Sequence, residues 1–223
     1  MPRIKLKDRL LPFYTKGEEI FNMVSHIVGG GLGIVALVLC VIKAAINKSV
    51  GGVLCGIAYG ASLIILYTMS SIYHGLRPPT AKKVFQILDH CAIYILIAGT
   101  YTPFTAIALQ KTSPILGWVI LGFVWALTVL AVTLTAIDLK MYKTFSFVCY
   151  IVMGWCIIFA IVPLYKALGF LGTFFLVLGG IFYSLGCVFF KMGKKHRYAH
   201  SIFHLFVLVA SILHFVSVFF FVL

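Results

Sequence analysis

His200-Ser201-Ile202-Phe203-His204 opens an apolar run that continues to Leu223 without a charged residue. As a helix, this stretch of 24 residues would span about 36 Å at 1.5 Å per residue. That exceeds the ~30 Å hydrocarbon core of a bilayer. The reading is therefore a transmembrane helix, with two histidines four residues apart on one face of its first turns. From that spacing two imidazoles can bind one metal ion. A polar pair at the mouth of so apolar a segment calls for partners at the same membrane depth.

Working outward, six further runs are long and apolar enough to span. The full set falls at about 20–43, 51–74, 84–109, 114–137, 144–164, 167–190 and 200–223. The chain is 62% hydrophobic and 10% charged, against about 45–50% and 25% in soluble domains, and its mean hydropathy is +1.11. The fold class expected is an all-α membrane protein of seven transmembrane helices. Residues 1–19 form a basic tail and residues 20–223 a single transmembrane domain. The first apolar run, about Ile20 to Ile42, is too long for a cleaved signal peptide and is expected to remain as a span.

The net charge is +13, which in a soluble protein would suggest nucleic acid. Here the basic residues sit in short clusters between apolar runs, so no nucleic-acid partner is expected. Fourteen fall in the N-terminal tail and the second, fourth and sixth loops: Arg3, Lys5, Lys7, Arg9, Lys16, Arg77, Lys82, Lys83, Lys140, Lys143, Lys191, Lys194, Lys195 and Arg197. The other side holds Lys43, Lys48, Lys111 and Lys166. By the positive-inside rule the N-terminus is cytoplasmic and the C-terminus outside, opposite to a G-protein-coupled receptor. No span carries a central lysine for a retinal Schiff base. The tail also carries Leu10, Leu11 and Phe13, which suits a short segment lying on the inner leaflet.

Orientation fixes depth. His74 and Ser70 end the second run, Asp89 and His90 begin the third, Asn22 and His26 begin the first, and His200 and His204 begin the last. All are expected near the cytoplasmic end of their helices. His214, ten residues past His204, lies about 15 Å deeper. Asp89 reads as the only carboxylate well inside the bundle, and an ionised carboxylate there needs a partner. Three histidines and a carboxylate at one depth suit a zinc site. The expected ligands are His74, His200 and His204, with Asp89 holding or deprotonating the bound water rather than binding the metal. Ser70, one turn before His74, would steady a substrate carbonyl or orient that water.

The remaining polar residues have plainer readings. His26 is expected as a hydrogen-bonded packing residue and His90 as an interfacial contact. His214 would be a neutral imidazole bonded across helices or a contact to a polar substrate group. Gly52, Gly56 and Gly60, like Gly29, Gly30, Gly31 and Gly33, suit close helix packing. Pro103 and Pro163 should kink or end their helices. The fourth to sixth spans look like scaffold. The six cysteines form no C-x-x-C and read as packing residues.

Together, Glu19-x-x-Asn22-x-x-x-His26, Ser70-x-x-x-His74, Leu88-Asp89, Gly99-Thr-Tyr-Thr-Pro103 and His200-x-x-x-His204 with His214 resemble the hemolysin III family. That family is related to the progestin and adipoQ receptors and, more distantly, to the alkaline ceramidases. The resemblance covers nearly the whole chain. It implies seven helices, a cytoplasmic N-terminus and an intramembrane zinc held by His74, His200 and His204, with Asp89 and Ser70 beside the bound water. It also implies the bacterial branch and a cell-membrane location.

The expected activity is hydrolysis of a lipid amide or ester, with membrane lipid as the partner. A non-enzymatic lipid sensor with structural zinc is the alternative, as is a membrane-damaging protein. A pore or transporter lacks a polar stripe across the bilayer. Neither the lipid nor any protein partner is named by the sequence.

Overall fold

The structure, a computed structural model, describes residues 6–193 and 196–223. Arg3, Lys5, Lys194 and Lys195, used in the charge comparison, lie outside the described residues. Seven α-helices carry the fold: α1 (Lys16–Ile46), α2 (Val50–Gly75), α3 (Pro79–Pro103), α4 (Pro114–Ile137), α5 (Lys143–Trp155), α6 (Ile161–Met192) and α7 (Ala199–Ser217). The protein is all-helical, and among the described residues six helical stretches are long and apolar enough to cross a membrane.

The ends of the helices follow local chemistry. Thr15 caps α1 in a capping box: its side chain accepts from the Glu18 N–H while the Glu18 carboxylate accepts from the Thr15 N–H, satisfying two donors the helix leaves open. Ser49 caps α2 through Gly52 N–H, and prolines open α3 and α4, where a missing N–H costs nothing. α1 starts four residues before the apolar run because Thr15 and not hydropathy sets its boundary.

Pro103 ends α3, and a π-helical turn (Phe104–Ala108) follows it. The expected spans at 144–164 and 167–190 both fall within one helical stretch, Lys143–Met192, of 50 residues. It is interrupted twice, and neither interruption falls at Lys166. The first is a 3-10 turn at Cys156–Ala160. There the Tyr101 hydroxyl donates to Gly154 C=O at 2.8 Å and accepts from Ile157 N–H at 3.1 Å, satisfying backbone groups that leave the helical ladder. The second is Gly169, whose φ of 69° and ψ of −175° belong to a region almost exclusive to glycine. Pro163 sits in the first turn of α6, where it is tolerated.

The packing is inside-out relative to a soluble protein. Large aliphatic residues such as Ile27, Ile34, Val119 and Val129 are exposed, while Asn22, His26, Ser70, His74, His204 and Ser211 are buried. α1 and α2 approach closely along the expected glycines. A Cβ on Gly60 would stand 2.5 Å from Leu37 Cα, and one on Gly29 would stand 2.5 Å from the Tyr67 ring. Gly31 packs against nothing, so it is not part of that seam. α7 packs against both α6 and α1, which brings its first turn to the starts of α1 and the end of α2. All six cysteines are free, five of them buried.

Candidate metal centre

Three elements converge at the first turn of α7. Ser201 Oγ donates to Asn22 Oδ1 at 2.7 Å, and Tyr198 N–H donates to Glu18 Oε1 at 2.8 Å. Both bonds fasten the start of α7 to α1. Tyr198, at φ 58°, turns the chain into the helix. His200 and His204 then face the end of α2, and His74 completes the group. One ligand nitrogen from each of His74, His200 and His204 lies within 4.8 Å of the others, and all three residues are buried.

The geometry suits an ion. His200 Nε2 and His204 Nε2 are 3.2 Å apart, near the roughly 3.3 Å separating two nitrogens on one tetrahedral zinc with bonds of ~2.0–2.1 Å. His74 Nδ1 stands 2.7 Å from Glu19 Oε2. A carboxylate accepts, so Nδ1 carries the proton and Nε2 presents its lone pair. That Nε2 is buried and has no hydrogen-bond partner. A buried orphan acceptor is costly unless something fills its lone pair, and with two further imidazoles beside it the group could hold a metal ion. His204 is set the same way: its Nδ1 lies 3.5 Å from Ser25 Oγ, whose own proton goes to Asn22 C=O.

The sequence assigns Glu19 no role, and the expectation of Asp89 as the only interior carboxylate is corrected by Glu18 and Asp138, both buried. Glu19 bridges His74 and Lys82, with Lys82 Nζ at 2.7 Å from Oε1. A carboxylate behind a ligating histidine fixes the ring and raises its basicity. The available signal was the i, i+3, i+7 spacing of Glu19, Asn22 and His26 on one face. Tyr14 was also missed. Its ring stacks on His200 at 5.0 Å between centroids and meets His74 edge-on at 5.6 Å, covering the cluster. Burial raises its hydroxyl pKa above the ordinary tyrosine value.

A cavity leads away from the cluster. Ser70, Asp89, His26, His200 and His204 border its head, and Thr100, Tyr101, Trp155, Tyr183 and His214 border its far end. Ser70 and Asp89 thus share one chamber with two of the three histidines. The walls are mainly apolar, and many come from α5 and α6: Phe147, Tyr150, Ile151, Cys187 and Phe190 among them. Those two helices are therefore cavity walls rather than scaffold. α4 contributes no wall residue.

His26 departs from expectation. Neither ring nitrogen has a hydrogen-bond partner, and the ring stacks on His204 at 3.7 Å between centroids. His90 borders the cavity. Its Nδ1 donates to Gln86 C=O at 2.8 Å and lies 3.6 Å from Asp89 Oδ2. His214 bonds across helices as expected, its Nε2 standing 3.0 Å from Leu176 C=O.

Comparison with known proteins places this arrangement. The family described as "Haemolysin-III related" matches residues 14–215, which include every residue of the cluster. The chain belongs to that family. "Hemolysin-3" of Bacillus cereus is 42% identical over 206 residues, 92% of each chain. "Hemolysin-3 homolog" of Bacillus subtilis is 39% identical over 208 residues, 93% of this chain and 96% of its own. The human "Monocyte to macrophage differentiation factor" is 28% identical over 170 residues, 72% of this chain and 67% of its own. Family and apolar helices together make this a multi-pass membrane protein.

Proposed function

We propose that this haemolysin III protein is a zinc-dependent hydrolase of a lipid amide or ester, working at the cytoplasmic side of a bacterial cell membrane. The observation that carries the reading is the three-histidine cluster at the head of an apolar-walled cavity that also holds Asp89 and Ser70. The chain crosses the membrane seven times in this account, because Gly169 and the Cys156–Ala160 turn interrupt a stretch of 50 residues that would be about 75 Å long as one helix. The N-terminus is cytoplasmic, in keeping with the distribution of basic residues.

His74, His200 and His204 are the metal ligands. Bound there, Zn²⁺ supplies a Lewis acid that polarises a carbonyl and makes water a nucleophile near neutral pH. Glu19 holds the His74 ring in the tautomer that exposes Nε2. The apolar walls take the acyl chain and exclude bulk water, which strengthens the charge interactions at the head. Ser70 Oγ hydrogen-bonds the scissile carbonyl oxygen. Asp89 takes the proton from the attacking water and returns it to the leaving amine or alcohol as the C–N or C–O bond breaks. A fatty acid and the free amine or alcohol leave.

The test is release of fatty acid from ceramide-type amides and from glycerol esters by purified protein. Turnover in wild type that falls at least ~100-fold in Asp89→Asn, with metal content unchanged, is the expected result. Full activity in metal-free protein would refute the reading.

A second reading is favoured by the placement of the cluster between α2 and α7, where an ion would staple two helices. In that case zinc is structural and the protein senses lipids without turning them over. Lipid binding with no product under all conditions selects it. The names of the Bacillus relatives, "Hemolysin-3" and "Hemolysin-3 homolog", suggest membrane damage. Single-channel currents from purified protein in a planar bilayer would support that activity over hydrolysis.

A further inference from the structure

We infer that the mid-membrane end of the cavity is a binding subsite for a hydroxyl group carried on the acyl chain of the lipid, built by His214 and Tyr183. The inference rests on the proposed reading only in requiring that the cavity takes an acyl chain; it does not require turnover.

His214 is more than nine-tenths buried and borders the cavity. Its Nε2 lies 3.0 Å from Leu176 C=O. A carbonyl can only accept, so Nε2 carries the proton and Nδ1 is an acceptor. Nδ1 is buried and has no hydrogen-bond partner. The ring is seated in a notch made by Gly179, where a Cβ would stand 2.2 Å from His214 Cδ2. Pinning this ring to α6 needs one nitrogen; the second is left with an unmet lone pair in a region where such pairs are costly.

Tyr183, whose ring centroid is 5.5 Å from that of His214, also borders the cavity. Its hydroxyl stands 2.8 Å from Ser211 Oγ, which accepts from Tyr67 at 2.8 Å. Ser211 has one proton of its own. When Ser211 gives it to Tyr183, the Tyr183 O–H is released as a donor. The far end of a mainly apolar slot then offers an acceptor and a donor on two neighbouring rings. A ligand hydroxyl answers both, because it donates and accepts. A methylene answers neither.

The position on the chain follows from depth. His214 is ten residues beyond His204, or about 15 Å along α7. An extended chain advances roughly 1.2 Å per bond, a third of the ~3.5 Å that three backbone bonds span. With the carbonyl carbon at the histidine cluster, the hydroxyl falls about twelve bonds on, near carbon 13, within about one bond of position 12.

The experiment is competition of stearate and 12-hydroxystearate against a fluorescent fatty acid on detergent-purified protein. Wild type is compared with His214→Leu and Tyr183→Phe, the latter keeping the ring and its packing. Wild type is expected to favour the hydroxylated acid by about fivefold, the worth of one net hydrogen bond. Both variants should lose the preference and bind stearate as wild type does. His214→Asn, which keeps a donor and an acceptor, should retain part of it. An equal ratio in wild type and variants overturns the subsite, as does failure of both acids to compete. A preference that disappears in the variants, in a protein that hydrolyses no lipid, upholds the subsite and removes the hydrolase reading.

Discussion

Glu19 Oε2 lies 2.7 Å from Nδ1 of His74, and its other oxygen lies 2.7 Å from Lys82 Nζ. The pair joins the start of α1 to the end of α2 and decides which His74 nitrogen is free. Glu19→Ala removes the acceptor and lets the imidazole adopt either tautomer and rotate. Its zinc affinity should fall about 10–100-fold, read by competition with a chelator of known affinity. An unchanged affinity would show that the carboxylate only holds the two helices together.

Tyr14 covers the cluster from the segment before α1, stacked on His200. Tyr14→Ala should leave zinc stoichiometry intact and speed zinc loss to an excess of chelator by several-fold. Tyr14→Phe should behave as wild type, because the contact is made by the ring face. A slow, unchanged rate in Tyr14→Ala would mean that metal leaves by another route.

Gly60 meets α1 at backbone distance. Gly60→Ala puts a methyl 2.5 Å from Leu37 Cα, and the helices must part. A loss of about 1–3 kcal/mol is expected from overpacking, seen as a lower unfolding midpoint in detergent. Gly31→Ala, with open space around it, should change little. Equal effects at the two positions would contradict the packing account.

Much of this was legible in the sequence because membrane solvation imposes strong rules. Apolar runs of about 20 residues, loop charges and small-residue spacing located the helices and the α1–α2 seam. The grouping of His74 with His200 and His204 follows from the four-residue spacing of the last two and the matched depth of all three. The break positions in Lys143–Met192 were not legible. They depend on the Tyr101 hydroxyl, from a helix more than fifty residues earlier, and on a glycine conformation with no hydropathy signature. Nor did apolarity tell wall from scaffold: Phe147, Ile151 and Phe190 border a cavity, while residues of the same character in α4 do not. His26 was misjudged because a histidine usually finds a hydrogen bond. Here its ring face is used, against His204.

The measurement that tests the central claim most directly is the metal content of detergent-purified protein, by mass spectrometry, beside a His200→Ala/His204→Ala variant. The account predicts about one zinc per chain in the wild type and none in a variant that still purifies as a folded, monodisperse protein. A folded wild type without metal would contradict it, and would reduce the three buried histidines to polar packing groups between α2 and α7.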